Sequence, residues 1–281
     1  MIDYIKISTL HSQLSTLVTG VAMKEGVFAE SLRPLLPRLA ALPGEVSVYA
    51  RDLTTGETCG YQPDIPLVAA SVIKLPILVE AFRQARDGLL SMDESVSIRP
   101  EQKMPSCGAL TYLHDGLTVT LRDLCALMII VSDNTATNIL IRRLGMENIN
   151  AGMRALGLEK STLRRLLFDM EASGRGLENT VTAEEMGRLL ELLYRGECVS
   201  PQADGEMLSI LRDQQLNGKM PFFLHDLEIA HKTGEDDGIT HDVGIVYAAH
   251  PLILCFASNH TDVPAFERFI QDAARDFVRE V

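Results

Sequence analysis

The stretch Ser71-Val-Ile-Lys-Leu-Pro-Ile-Leu-Val-Glu-Ala-Phe-Arg-Gln-Ala-Arg86 decides the fold, because the periodicity of the chain changes there. Upstream, Glu45-Val-Ser-Val-Tyr-Ala-Arg51 alternates as a strand does. Thr54-Thr55-Gly56 then supplies a turn into Glu57 to Tyr61, which predicts a hairpin. From Ser71 the apolar residues Ile73, Ile77, Leu78 and Ala81 fall on one side of a helix that runs through Arg86, with Gly88 near its end. Pro76 stands so early in this helix that a local kink or a tight first turn is expected.

Working outward, further helices are predicted from Leu121 to about Val131, Asn134 to Leu144 and Ala183 to Tyr194, the last opened by a Thr182/Glu185 capping box. The C-terminal part returns to short apolar strands at Glu228 to Thr233, Asp242 to Ala248 and Leu252 to Ser258, with a turn at His250-Pro251. An amphipathic helix from Pro264 to Val278 closes the chain. Strands, then helices, then strands and a helix imply an α+β protein of two lobes, whose N- and C-terminal strands join in one antiparallel sheet. The division expected is residues 1–68 with 222–281, around residues 69–221. No internal repeat or low-complexity segment is visible.

The 281 residues, 46% of them hydrophobic, suffice for one large core or two lobes sharing an interface. A net charge of −12 and the lack of a basic stripe argue against nucleic acid. The short apolar runs argue against a membrane span. Seven histidines show no ligand spacing, so neither a metal nor another cofactor is indicated. Five scattered cysteines without a C-x-x-C pair favour a reducing compartment, and Cys125 and Cys255, in apolar runs, read as buried thiols. At the N-terminus, Lys6 precedes a broken apolar stretch with no small-residue cleavage site, while Leu10, Leu14, Leu17 and Val21 fit an amphipathic helix. A cytoplasmic protein is the expectation, a monomer acting on a small molecule.

Three short motifs could carry chemistry. Ser71 and Lys74 form the sole S-x-x-K, and residues three apart on a helix share a face, so the amine can reach the hydroxyl. A serine needs a neighbouring base to become a nucleophile, and a lysine serves when burial or positive charge lowers its pKa. The helix N-terminus would favour an oxyanion beside it. A capping serine with a solvated lysine has the same spelling. Ser132-Asp133-Asn134 lies between two helices, where such residues are ordinary caps. Alternatively, Ser132 relays a proton to a leaving group, Asn134 binds a substrate amide and Asp133 holds the loop. Lys232-Thr233-Gly234 ends a strand. There the ammonium and hydroxyl could grip a carboxylate, Gly234 could admit a substrate backbone, and the Glu235 N–H could join the Ser71 N–H as an oxyanion hole.

Each motif occurs once, in the order S-x-x-K, S-D-N, K-T-G, with Ser132 61 residues after Ser71 (132 − 71) and Lys232 100 after Ser132 (232 − 132). This trio resembles the class A β-lactamases and penicillin-binding proteins. The resemblance extends through Leu75 to Ala81, Gly116 to Thr120, Asn134 to Leu140 and Asn179 to Thr182, and covers most of Val46 to Ser258. It implies an all-helical lobe and an α/β lobe with a five-stranded antiparallel sheet, the active site lying in the cleft between them. It implies that Ser71 is acylated, with Lys74 as base or proton shuttle and Ser132 as leaving-group proton donor. Asn134 would bind substrate, and Lys232, Thr233 and Gly234 would form the carboxylate-binding strand.

The chain departs from the family in three ways. The E-x-x-L-N loop that carries the hydrolytic glutamate is replaced by Asp169-Met170-Glu171-Ala172-Ser173-Gly174-Arg175. Glu171 is the best candidate base there, and Glu178 reads as the loop's closing anchor beside Asn179. Glu235-Asp236-Asp237 places acids beside the carboxylate-binding strand, which would disfavour an anionic β-lactam. The family is exported, whereas no signal is seen; of a disulfide known in some relatives, Cys125 matches one end and Leu78 occupies the other. β-Lactam hydrolysis leads. A peptidase or esterase of the same fold, or a sensor acylated without turnover, are its rivals.

Overall fold

The computed structural model describes residues 21–23 and 26–281. The five-stranded antiparallel sheet is present. Its strands are β1 (Glu45–Asp52), β2 (Thr58–Tyr61), β3 (Ile229–Asp236), β4 (Ile239–Val246) and β5 (Leu252–Asn259), in the order β2-β1-β5-β4-β3. A three-residue strand, Val21–Met23, pairs with the outer side of β2. Val21 is therefore not the end of the amphipathic helix expected there; Leu10, Leu14 and Leu17 lie outside the described residues.

Both faces of the sheet are covered. Along β5, Leu252, Leu254 and Phe256 pack with Phe266, Phe269, Ile270 and Phe277 of the C-terminal helix, while Ile253 and Cys255 face the helices of the middle of the chain. That is why the C-terminal strands read as continuous apolar runs rather than polar–apolar alternation. Strand β3 forms the sheet's second edge, and this edge meets the helices.

The longer helices are α1 (Lys74–Arg86), α2 (Leu121–Ile130), α3 (Asn134–Leu144), α4 (Met146–Ala155), α5 (Ala183–Arg195), α6 (Pro201–Arg212) and α7 (Val263–Arg279), beside short ones at Val27–Glu30, Leu36–Ala40 and Met170–Gly174. The tight first turn that Pro76 required is a 3₁₀ turn, Ala70–Ile73, leading into α1. Pro76 is then the third residue of α1, where a missing N–H costs no intrahelical bond. Every residue from Lys74 to Phe82 is buried, so α1 is a central helix and not one with a single apolar side.

Two helices escaped the periodicity reading. Helix α4 buries only Ile149 and Met153, too narrow a stripe to show; α6 does carry an overlooked start signal, with Ser200 capping it and Pro201 in its first turn. The Thr182/Glu185 capping box is half formed. Thr182 accepts from the Glu185 N–H, but the Glu185 carboxylate turns to Ser161 and Lys160 instead. All five cysteines are free; Cys125 and Cys255 are fully buried, as is Leu78. Among the described residues no helix is long and apolar enough to cross a membrane.

Candidate active site

Ser71 sits in the 3₁₀ turn before α1, following Ala70, whose backbone is left-handed (φ 41°). It lines a cleft of about 550 Å³ together with Val68, Asn134, Arg165, Leu167 and Glu235. Lys74 is buried one turn further on, and its Nζ donates to Ser132 O at 2.8 Å, Ser132 Oγ at 2.8 Å and Asn134 Oδ1 at 2.9 Å. The contacts of the amine thus run to the S-D-N residues rather than to the Ser71 hydroxyl. Burial, then the positive charge of Lys232, hold its pKa well below the ordinary lysine value.

The S-D-N segment is a strained junction. Ser132 adopts φ 54° between α2 and α3, a conformation costly for a residue with a Cβ. Asp133 holds it there. Its carboxylate accepts the N–H groups of Ala136 at 2.9 Å, Ala109 at 2.7 Å and Leu110 at 2.8 Å, capping α3 and tying in the neighbouring loop. Asn134 also donates to Pro105 O at 3.3 Å, so it faces both Lys74 and that loop.

Strand β3 brings the third motif to the same point. Lys232 is fully buried, with Nζ donating to Ser132 Oγ at 3.2 Å and to Thr233 O at 2.8 Å. Burial, and next the charge of Lys219, lower its pKa to about 7. Ser132 Oγ therefore receives contacts from both lysines. A Cβ on Gly234 would lie 3.3 Å from Ser71 N and 2.9 Å from His241 Cδ2, so only glycine lets β3 approach the nucleophile this closely. Thr233 is buried, while Glu235 and the neighbouring Asp236 are exposed and line the cleft. The acids at the strand end do face the site, although Glu235 is paired with Lys219 at 3.0 Å.

Glu171 is not brought to these residues. Its side chain is 85% exposed and paired with Arg175 at 2.9 Å, in a one-turn helix, Met170–Gly174, whose cleft-lining residues are Met170 and Ser173. Glu178 bridges to Arg165 at 2.7 Å and accepts from Ser173 Oγ. Burial raises its pKa, and the Ser173 and Arg165 bonds outweigh that and leave it lowered. Asn179 closes the loop, its Oδ1 accepting the N–H groups of Arg164 at 2.7 Å and Arg165 at 3.0 Å.

Sequence reasoning missed the residue that sets this loop's height. Asn138, one turn beyond Asn134 on α3, exchanges two 2.9 Å bonds with the Leu167 backbone and so fixes Leu167 in the cleft wall. The i,i+4 spacing of two asparagines was the available signal. Phe168, held at φ 62°, and the exposed Cys107 also line the cleft, and no pattern in the chain marks either.

A model of the β-lactamase enzyme family matches residues 28–281. The chain belongs to this family. It is 27% identical over 221 residues to a β-lactamase of Rhodobacter capsulatus, covering 76% of this chain and 75% of that one. A β-lactamase structure from Sphaerobacter thermophilus superposes with a TM-score of 0.82 at 29% identity, covering 88% of this chain and 97% of that one. A mutant of PBP-A, solved as an acyl-enzyme with penicillin G, superposes at 0.80 with 27% identity and covers 90% and 95%. The protein is thus a serine β-lactamase-like hydrolase with the α+β fold of the family.

Proposed function

We propose that the protein opens β-lactam rings by acylating Ser71, in a cleft between an α/β lobe (residues 1–68 and 222–281) and a helical lobe (residues 69–221). The observation that carries this reading is the shared contact of Lys74 and Lys232 with Ser132 Oγ, close in the chain to Asn134, which lines the cleft with Ser71. Lys74, whose pKa is lowered by burial and by the charge of Lys232, takes the Ser71 proton as Oγ bonds to the lactam carbonyl carbon. Ser132, hydrogen-bonded to Lys74, delivers a proton to the ring nitrogen as the C–N bond breaks. The N–H groups of Ser71 and Glu235 stabilise the oxyanion. Lys232 supplies positive charge behind Ser132 and Thr233, where a substrate carboxylate docks, and Asn134 receives the substrate amide. Water then cleaves the ester and frees Ser71.

A second reading draws support from the loop wall. Its cleft-lining residues include Leu167, Phe168 and Met170, and Glu171 faces outward. A wall with no carboxylate turned to the ester favours a long-lived acyl-enzyme, as in a penicillin-binding or sensing protein. Nitrocefin turnover run beside a fluorescent-penicillin gel tests both. Turnover abolished in Ser71→Ala supports hydrolysis, and labelling at Ser71 without turnover supports the second reading. Wild-type turnover overturns the second reading, labelling without turnover overturns hydrolysis, and a Ser71→Ala variant that behaves as the wild type overturns both.

A further inference from the structure

Lys219 is a buried cation to which the reaction just described assigns no step, although its charge helps to lower the Lys232 pKa. Its side chain is 5% exposed, and Nζ stands 3.0 Å from Glu235 Oε1 and 3.9 Å from Glu267 Oε1 of α7. The same Nζ donates to two strand carbonyls, Gly234 O at 3.3 Å and His241 O at 3.2 Å. Gly234 and His241 are opposite one another in the β3–β4 ladder. A group that reaches both carbonyls therefore lies on the β4 side of Gly234.

Peptide geometry turns this contact into a statement about the cleft. In a trans peptide the C=O and the next N–H point in opposite directions. With the Gly234 carbonyl held toward β4, the Glu235 N–H points to the unpaired edge of β3. Ser71 N lies close to this part of the edge strand, 3.3 Å from where a Cβ on Gly234 would stand. A charge-assisted bond to a carbonyl also draws electron density from its peptide unit, which strengthens the N–H of that unit as a donor.

We propose that Lys219 is a positioning residue for the oxyanion hole: it holds and polarises the Gly234–Glu235 peptide so that the Glu235 N–H acts with the Ser71 N–H. The proposal rests on the acylation of Ser71 described above. His241 braces the same glycine from β4, its ring fixed by Val68 O at 2.8 Å and by the Ser258 N–H at 3.1 Å. Lys219 has too little exposure to meet a substrate anion directly, and Glu235 already neutralises it.

The test compares an ester with its thionoester, in which sulfur replaces the carbonyl oxygen and is a poor acceptor for an oxyanion hole. Single-turnover acylation of the full chain by a phenylacetylated depsipeptide and by its thiono analogue is measured at saturation, with a melting curve for each variant. Lys219→Met should lose roughly tenfold in acylation by the ester, less than the 10²–10³-fold that follows removal of a donor itself. The thionoester rate and both half-saturation concentrations should change less than about twofold, so the ester-to-thionoester ratio narrows. Lys219→Arg, which keeps the charge, should hold the ratio near wild type and serves as the second measurement if the methionine variant does not fold. Equal losses on both substrates, or the same narrowing in Lys219→Arg, overturn the proposal and leave Ser71 acylation standing. Acylation that persists in Ser71→Ala overturns the reading on which it rests.

Discussion

On one wall of the cleft, Lys74, Ser132, Asn134 and Lys232 are buried and bonded to one another. On the other, residues 164–179 present Leu167, Phe168 and Met170, and Glu171 stands in solvent. The first wall is a satisfied polar network, in which two lysines stripped of water converge on one hydroxyl. Such a network has a single arrangement, because leaving any member unpaired in the interior is costly. The second wall is held by its backbone, through Asn138 and Asn179, so its side chains are free to differ without loss of the fold. In the proposed reaction, acylation draws on the core, and the fate of the acyl-enzyme is left to a replaceable loop.

The largest effect expected belongs to the first wall. Ser71→Ala should abolish both covalent labelling by penicillin and turnover while the protein stays folded, as intact-mass spectrometry and a melting curve would show. Normal labelling in the variant would remove Ser71 from its role.

The second wall should respond in the opposite sense. Leu167 lines the cleft on a backbone pinned by Asn138, so an acid there would face the ester. Leu167→Glu should accelerate decay of the penicillin adduct about 10²-fold, the lower end of what a positioned base contributes. An unchanged adduct lifetime would mean that this wall does not control the second step.

Lys232 lies between these extremes. Its pKa is lowered to about 7, chiefly by burial, so the cation is lost as pH rises through that value. The KM of a carboxylate-bearing substrate should climb roughly tenfold from pH 6 to pH 8, while that of a neutral ester stays flat. The same shift has a sign for stability. Between about 7 and the ordinary value of 10.5 the unfolded chain binds more protons, so this lysine's contribution makes the fold more stable as pH rises across that window. A Lys232→Met protein should lose that part of the pH dependence in its melting temperature.

The smallest effect is assigned to Glu171. Its 85% exposure and i,i+4 pairing with Arg175 describe a solvated helix acid. Glu171→Gln should change acylation and deacylation by less than about twofold in stopped-flow traces. A trapped adduct in this variant would restore the role that the sequence first assigned to it.

The difference between the walls also explains what the chain disclosed before its structure was known. Ser71, Lys74 and Ser132 were legible as candidates because each sits at or beside the start of a helix, where short motifs fix side-chain direction, while Lys232 lies inside β3 and was legible only from the K-T-G motif. The strands were legible from their apolar runs and turns. Glu171 was misplaced because its direction depends on bonds from Asn138 and Asn179, which are distant in the chain and follow no local period. Lys219 was silent for a similar reason: its partners Gly234 and His241 become neighbours only through the β3–β4 ladder.

The most direct test of the account is a time course of intact mass after brief mixing of the wild-type protein with penicillin G, followed by peptide mapping of the adduct. The account predicts a single added penicillin on the peptide containing Ser71, formed within the mixing time and absent from Ser71→Ala. An adduct that maps elsewhere, or that forms equally in Ser71→Ala, would contradict it.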